Sequence, residues 1–279
     1  MEQHFNTPSE VIDTNMKAGE GKAHLPLGKM ILLGIMAGAF IALGGATSST
    51  AAHAIDNVGL ARFVAGIIFP VGLMIIVFVG GELFTGNCLI VMDVVGKKVT
   101  WFECIRNLIV VYFSNLIGAL IIDTLIYFSG NLDYTGGLLG AYAIKVAVGK
   151  VGISPLKGIT SGILCNILVC IAILMAVAAT DIVGKVWAIF FPIMAFVVGG
   201  FEHCVANMYY IPAGIFASMN PDYVAKAKEL YGITGSQIAA LNWGNFFTIN
   251  LLPVTIGNII GGGFIIGGLF FYLHGKNCK

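Results

Sequence analysis

The sequence predicts an all-α integral membrane protein whose six transmembrane helices form a 3+3 inverted repeat, with the second and fifth helices broken. Three observations carry this. Of 279 residues, 58% are hydrophobic and only 10% charged, against about 25% charged in soluble domains. The mean hydropathy is +0.92. Long apolar stretches recur along the chain, and two of them are interrupted by polar, glycine-bearing segments. A net charge of +1 leaves no basic excess for nucleic acid and no acidic solvating tail. At roughly 20 apolar residues per span, the length holds about six helices and no large extramembrane domain.

Residues 1–24 are polar and lack the apolar core of a signal peptide, so they read as a cytoplasmic N-terminal segment of the mature chain. Within them Thr7-Pro8-Ser9-Glu10, followed by Val11, Ile12 and Met16, predicts a capped amphipathic helix along the membrane surface, either a lead-in or a gate. Residues 25–275 are expected to form a six-helix transmembrane domain. Its apolar segments run 28–50, 62–95, 102–129, 156–180, 184–218 and 242–274.

The second and fifth segments are longer than a bilayer requires. Each contains a break, Gly80-Gly81-Glu82-Leu83-Phe84-Thr85-Gly86-Asn87 and Gly199-Gly200-Phe201-Glu202-His203-Cys204-Val205-Ala206-Asn207. Backbone freed from helical bonding at membrane depth has to be buried in protein or line a wet cavity. Near the span ends, nine Lys/Arg fall on the side of the termini and six on the other, so both termini are expected in the cytoplasm of a multi-pass inner or plasma membrane protein.

The halves repeat. Asn107, Asn115 and Gly118 in the third span match Asn250, Asn258 and Gly261 in the sixth, and Gly34 and Gly38 of the first match Gly158 and Gly162 of the fourth. Three spans repeated after three are necessarily inverted. Such repeats place a substrate path at their interface near the bilayer midplane, with half-helix ends pointing into it.

Intramembrane ionisable groups are costly and mark function. Here they are Glu82 and Glu202 on the two breaks, Asp123 toward the outer end of the third span, and His203, the one interior histidine. Asp93 is expected at the inner interface as a solvated carboxylate. His203 can donate a proton or a hydrogen bond to a passing anion. Thr85 offers a hydroxyl on a glycine-flanked loop and is a candidate N-cap for a helix starting at Gly86. Phe69, Leu73, Leu83 and Phe196 are bulky apolar residues that read either as plain packing or as collars that would exclude hydrated ions. The six cysteines include no C-x-x-C pair and read as small hydrophobes, so neither a metal nor a disulfide is expected. No phosphate loop or nucleophile-base pair points to an enzyme, and no cofactor is expected.

At these residues the sequence resembles the formate/nitrite transporter family, and most closely its formate channels. The resemblance is carried by Gly200-Phe201-Glu202-His203 with Ala206-Asn207-Met208, by Ile249-Asn250-Leu251 with Pro253 through Gly263, and by Gly80, Leu83-Phe84-Thr85, Asn107 and Asn115 through Ala119. It implies an aquaporin-like protomer in a homopentamer, with a pore for small monovalent anions of weak acids in each protomer. It also implies His203 as the central pore histidine, Thr85 as its partner, Phe69 with Phe196 as one constriction and Leu73 with Leu83 as the other. Lys150 would attract anions in the outer vestibule, while Asn166, Glu202 and Asn207 would orient the histidine and tune its proton affinity.

The expected cargo is formate, moved in either direction and in a pH-dependent way. The anion would either take a proton and cross the second collar as the neutral acid, or be held by charge-assisted hydrogen bonds. Nitrite or hydrosulfide is the alternative cargo. A neutral-solute pore of the aquaporin class would be expected to show two Asn-Pro-Ala signatures, and this chain has none.

Overall fold

The computed structural model describes residues 5–275; His4, Lys276, Cys278 and Lys279 lie outside them. The described residues are helical almost throughout. Helix α1 (Pro8–Ala23) starts as its sequence dictates, with Pro8 at the first helical position and the Glu10 carboxylate accepting from the N–H and the hydroxyl of Thr7, both at 2.7 Å. Six spans follow: α2 (Leu27–Ala52); α3 (Val58–Ile68) with α4 (Val71–Val79); α7 (Trp101–Phe128); α9 (Pro155–Ala178); α10 (Ile182–Gly199); and a sixth over Trp243–His274. The sixth is built from α14 (Trp243–Asn245), α15 (Leu252–Ile259) and α16 (Leu269–His274), joined by π-helical turns over Phe246–Leu251 and Ile260–Gly268.

The predicted breaks fall after α4 and α10. Each is followed by a short apolar helical segment that completes the crossing: α5 (Phe84–Asn87) leading into α6 (Val91–Val95), and α11 (Cys204–Ala217). Helices α8 (Tyr134–Val151), α12 (Pro221–Tyr231) and α13 (Gly235–Ala240) cover the face opposite the termini. Both ends of the described chain lie on one face, because α1 packs against α16. On the far face the Tyr223 hydroxyl donates to Asp133, which pins α12; burial, and then this bond, push the Tyr223 phenol up to about 12.

The first and second halves pack by the same contacts. α2 lies against α7, and α9 against α15. They approach at Gly118 and Gly261, where an added Cβ would stand 1.9 Å from the Ile35 carbonyl oxygen and 2.3 Å from that of Ile163. These contacts correct the expected register: Ile35 corresponds to Ile163, so Gly34 matches Gly162 and not Gly158. Glycines spaced one turn apart allow either alignment in sequence, and packing selects one.

Two further expectations change. Asp93 is not solvated; it is fully buried, and neither carboxylate oxygen has a hydrogen-bond partner among the described residues. The reason is α1, which lies over it so closely that a Cβ on Gly19 would meet Asp93 Oδ2 at 2.1 Å. Helix α1 itself buries Val11, Ile12, Asn15, Met16, Gly19 and Ala23, and Asn6 donates from its backbone to the Ala178 carbonyl at 2.8 Å. It is therefore docked on the protein body rather than only on lipid. Cys88, Cys104, Cys165, Cys170 and Cys204 are free and buried.

The close crossing gives a stability test. Gly118→Val has to push α2 away from α7 and is expected to cost about 1–3 kcal/mol, the usual scale of overpacking. Gly21→Ala, with nothing within 4 Å of its added methyl, is expected to leave stability unchanged or raise it by up to about 1 kcal/mol. Thermal unfolding of the detergent-solubilised protein, followed by circular dichroism, separates the two.

Candidate transport pathway

Two glycines make the breaks possible. α4 ends at Gly80 with φ 103°, and α10 ends at Gly200 with φ 68°; both values lie where a Cβ would be strained. The residues that follow, through Leu83 and His203, have lost their helical bonds, and two asparagines replace them. Asn115 Nδ2 donates to the carbonyls of Gly34 (2.7 Å) and Glu82 (2.9 Å), and its Oδ1 accepts from Phe84 N–H (2.9 Å). Asn258 Nδ2 donates to the carbonyls of Gly162 (2.8 Å) and Glu202 (3.0 Å), and its Oδ1 accepts from Cys204 N–H (2.9 Å). Atom for atom, these are the same bonds in the two halves.

The buried glutamates are held in the same paired way. Asn87 Nδ2 donates to Glu82 Oε2 (2.6 Å) and Asn107 Oδ1 (2.8 Å), while Asn207 Nδ2 donates to Glu202 Oε2 (2.6 Å) and Asn250 Oδ1 (2.7 Å). Each carboxylate has a lysine: Lys22 Nζ lies 3.1 Å from Glu82 Oε1, and Lys150 Nζ 3.0 Å from Glu202 Oε1. The two lysines close their networks through their own carbonyls, which accept from Asn107 (3.0 Å) and Asn250 (2.9 Å).

The sequence does not single out Lys22, because nothing local distinguishes it from Lys17, the other lysine of α1. The signal was distant: Lys22 and Gly34 stand as far apart in the chain as Lys150 and Gly162. The networks are not identical: Asn250 Nδ2 also reaches Glu202 Oε2 at 3.3 Å, a bond without a counterpart between Asn107 and Glu82. Lys22 also donates to Asn87 Oδ1 (3.0 Å), whereas Lys150 turns to both oxygens of Glu202, 3.0 and 3.2 Å away. Asn207 Oδ1 is consequently left without a partner among the described residues.

Between these networks the lining is asymmetric. Leu83 and His203 are the matching N-cap positions of α5 and α11. Since α5 starts at Phe84, Thr85 does not cap a helix beginning at Gly86. It lies in the first turn, and its hydroxyl is 2.9 Å from His203 Nε2. His203 takes the capping role instead: its Nδ1 accepts from Ala206 N–H at 2.9 Å. A ring nitrogen that accepts carries no proton, so this bond selects the neutral tautomer with the proton on Nε2, directed at Thr85. Both side chains are buried, at 0% and 3% exposure for Thr85 and His203.

Phe196 stacks on the imidazole, with centroids 5.8 Å apart and 23° between planes, and meets the edge of Phe69 at 5.5 Å. Both rings, with His203 itself, line a cavity of 750 Å³ on the far face, lined also by Ser48, Arg62, Lys145, Lys150, Asn207 and Tyr210. Leu73 and Leu83 are buried in the central apolar core. Asn166, Glu202 and Asn207, expected to orient the histidine, do not bond its ring. Asn166 Nδ2 donates to the carbonyls of Thr85 (3.1 Å) and Asn258 (2.7 Å), which fixes the Thr85 backbone and leaves the hydroxyl for His203. The Glu202 carboxylate instead accepts from Asn207, Asn250 and Lys150. Asp123 is buried without a hydrogen-bond partner among the described residues and stands apart from these networks.

Six apolar spans and two broken helices, whose polar groups meet beside the Phe69–Phe196 pair, define a multi-pass membrane protein. The family model for formate/nitrite transporters matches residues 9–272, and the chain belongs to that family. A probable formate transporter from Methanothermobacter thermautotrophicus is 36% identical, covering 99% of this chain and 100% of its own length. A solved pentameric formate channel with formate bound superposes with a TM-score of 0.81 at 34% identity, covering 90% of this chain and 98% of that one. An aquaglyceroporin from Plasmodium falciparum, at 13% identity and a TM-score of 0.50 over 88% of this chain and 99% of its own, shares the fold alone. These family relatives are transporters and channels, not enzymes.

The ion pair beside the second break can be weighed directly. Lys150→Met leaves a buried carboxylate uncompensated and is expected to destabilise by about 3–5 kcal/mol. Adding Glu202→Gln removes the stranded charge and is expected to recover part of the loss. A double-mutant cycle from unfolding in micelles checks this; strictly additive losses would show that the pair is not coupled.

Proposed function

We propose that the chain is a membrane channel for small monovalent anions of weak acids, formate first among them. In this reading it works as a homopentamer in the inner or plasma membrane, with one pore per protomer, both termini cytoplasmic and flow in either direction. The observation that carries it is the Thr85–His203 hydrogen bond, 2.9 Å long, where the two broken helices meet beneath the aromatic collar. The family membership and the formate-bound pentamer among its structural neighbours support cargo and assembly. The excess of Lys/Arg on the terminal face supports the orientation.

The physical problem is desolvation, which costs an anion several kcal/mol in a low-dielectric constriction. Hydrogen bonds to a charged group contribute about 1.5–3 kcal/mol each, so one donor is insufficient and two approach what is required. His203 Nε2–H and the Thr85 hydroxyl are two such donors. They are bonded to each other when no anion is present, and an arriving carboxylate inserts between them and accepts from both. The apolar neighbours exclude water that would compete. Glu202, Lys150, Asn207 and Asn166 hold the two breaks rigid, so that the donors need little reorganisation.

The neutral tautomer favours passage as a hydrogen-bonded anion over proton transfer. An imidazolium would have to give up the Ala206 bond, since Nδ1 would then donate. The pH dependence of flux distinguishes the two versions. Nitrite remains the second cargo, because the family model spans both anions, and hydrosulfide is a competitor to include.

Flux of isotopically labelled formate into vesicles containing the purified protein tests the reading. Thr85→Val removes one donor and is expected to slow flux about ten- to a hundredfold, which corresponds to the 1.5–3 kcal/mol of one charged hydrogen bond. His203→Ala is expected to slow it at least as much. Wild-type flux in either variant would overturn the reading. If His203→Ala leaves the shape of the pH profile between pH 5 and 8 unchanged, proton transfer is lost; if the profile flattens, the fixed neutral imidazole is lost.

A further inference from the structure

The far-face cavity holds three cationic side chains, Arg62, Lys145 and Lys150, against a single carboxylate, Asp56, among its lining residues. They are not equivalent. Lys150 is bound to both oxygens of Glu202 and its ammonium lies 5.4 Å from the centre of the Tyr210 ring, so its charge is largely compensated. Arg62 and Lys145 are exposed, and neither forms an ion pair among the described residues. Lys145 Nζ lies over the rings of Tyr231 (4.5 Å) and Tyr142 (5.7 Å).

Arg62 is positioned by the break itself. Its Nη1 donates to the Val198 carbonyl at 3.4 Å, one of the free carbonyls at the end of α10. The guanidinium rests against Gly200, where an added Cβ would stand 3.1 Å from Nη1. That single long bond leaves the remaining guanidinium N–H groups unused. Seven residues separate Arg62 from Phe69 in the sequence, two helical turns on one face and about 10 Å of axial rise. A ligand on the guanidinium would therefore stand on the same face of α3 as the aromatic collar.

We propose that Arg62, seconded by Lys145, is the station at which a planar two-oxygen anion is captured before the aromatic collar, while the paired Lys150 serves to hold the break. A guanidinium matches a planar carboxylate with two parallel N–H···O bonds, whereas an ammonium acts as a point charge. The station consequently selects formate and nitrite over monoatomic or hydrosulfide anions, ahead of any discrimination deeper in the pore. It rests on the anion-channel reading given above and adds a selectivity determinant to it.

The test is the half-saturation concentration for external formate in vesicles with the far face outward, together with competition by nitrite and hydrosulfide. Arg62→Gln is expected to raise half-saturation about three- to fivefold, the scale of a solvent-exposed charge contact. Arg62→Lys is expected to restore much of the affinity but not the preference for nitrite over hydrosulfide as competitor. The chain has two arginines, Arg62 and Arg106, and Arg106 is on the terminal face beside Leu25. External hydroxyphenylglyoxal, an arginine reagent, should therefore raise half-saturation in the wild type, be slowed by formate and have no effect on Arg62→Lys. This arm decides alone if Arg62→Gln fails to reach the membrane. Wild-type vesicles that pass no more formate than protein-free ones would overturn the channel reading. Wild-type flux with half-saturation unmoved by substitution or reagent would overturn the station alone.

Discussion

Everything in the middle of this molecule depends on how four residues of unwound backbone are satisfied twice over inside a membrane. Lipid offers no hydrogen bonds, and an unsatisfied peptide group there costs several kcal/mol. Asn115 and Asn258 each engage three backbone groups, two carbonyls and one N–H, and so convert two breaks into fixed structure. Once the backbone is fixed, Glu82 and Glu202 can be buried with lysine and asparagine partners, and the side chains at the break ends acquire defined positions. Without those amides, neither His203 nor Thr85 would have a fixed partner.

The repeat builds the scaffold and is then abandoned where specificity is required. Asn115 and Asn258 make matching bonds, and Glu82 with Lys22 and Glu202 with Lys150 occupy equivalent places. The N-cap residues they support do not match, since one half presents Leu83 and the other His203. An apolar side chain and an imidazole thus occupy equivalent places. Thr85, whose counterpart is Val205, supplies the hydroxyl from the opposite half. Symmetry supplies rigidity, and its violation supplies the chemistry.

Much of this was legible in the sequence. Spans of apolar residues and two interrupted segments are signals of composition and length, and the matched Asn-x7-Asn spacings reveal the repeat without any contact being known. Three features were not legible. The burial of Asp93 depends on where α1 docks, which is a tertiary event. The partnership of Lys22 with Glu82 crosses from a surface helix to a break sixty residues on, and no local pattern announces it. The register of α2 against α9 is degenerate in sequence, because glycines one turn apart fit two alignments and only the close approach at Gly118 and Gly261 distinguishes them. His203 was found for its isolation, but its tautomer required the Ala206 bond.

The central claim is that the anion passes between His203 and Thr85 by replacing their mutual hydrogen bond. The most direct measurement is a structure of the protein in lipid nanodiscs at saturating formate. The account predicts formate within hydrogen-bond distance of both Nε2 and Oγ1, with those two atoms separated beyond bonding distance and the Ala206 bond to Nδ1 retained. Formate bound elsewhere along the pore with the histidine–threonine bond intact would contradict it.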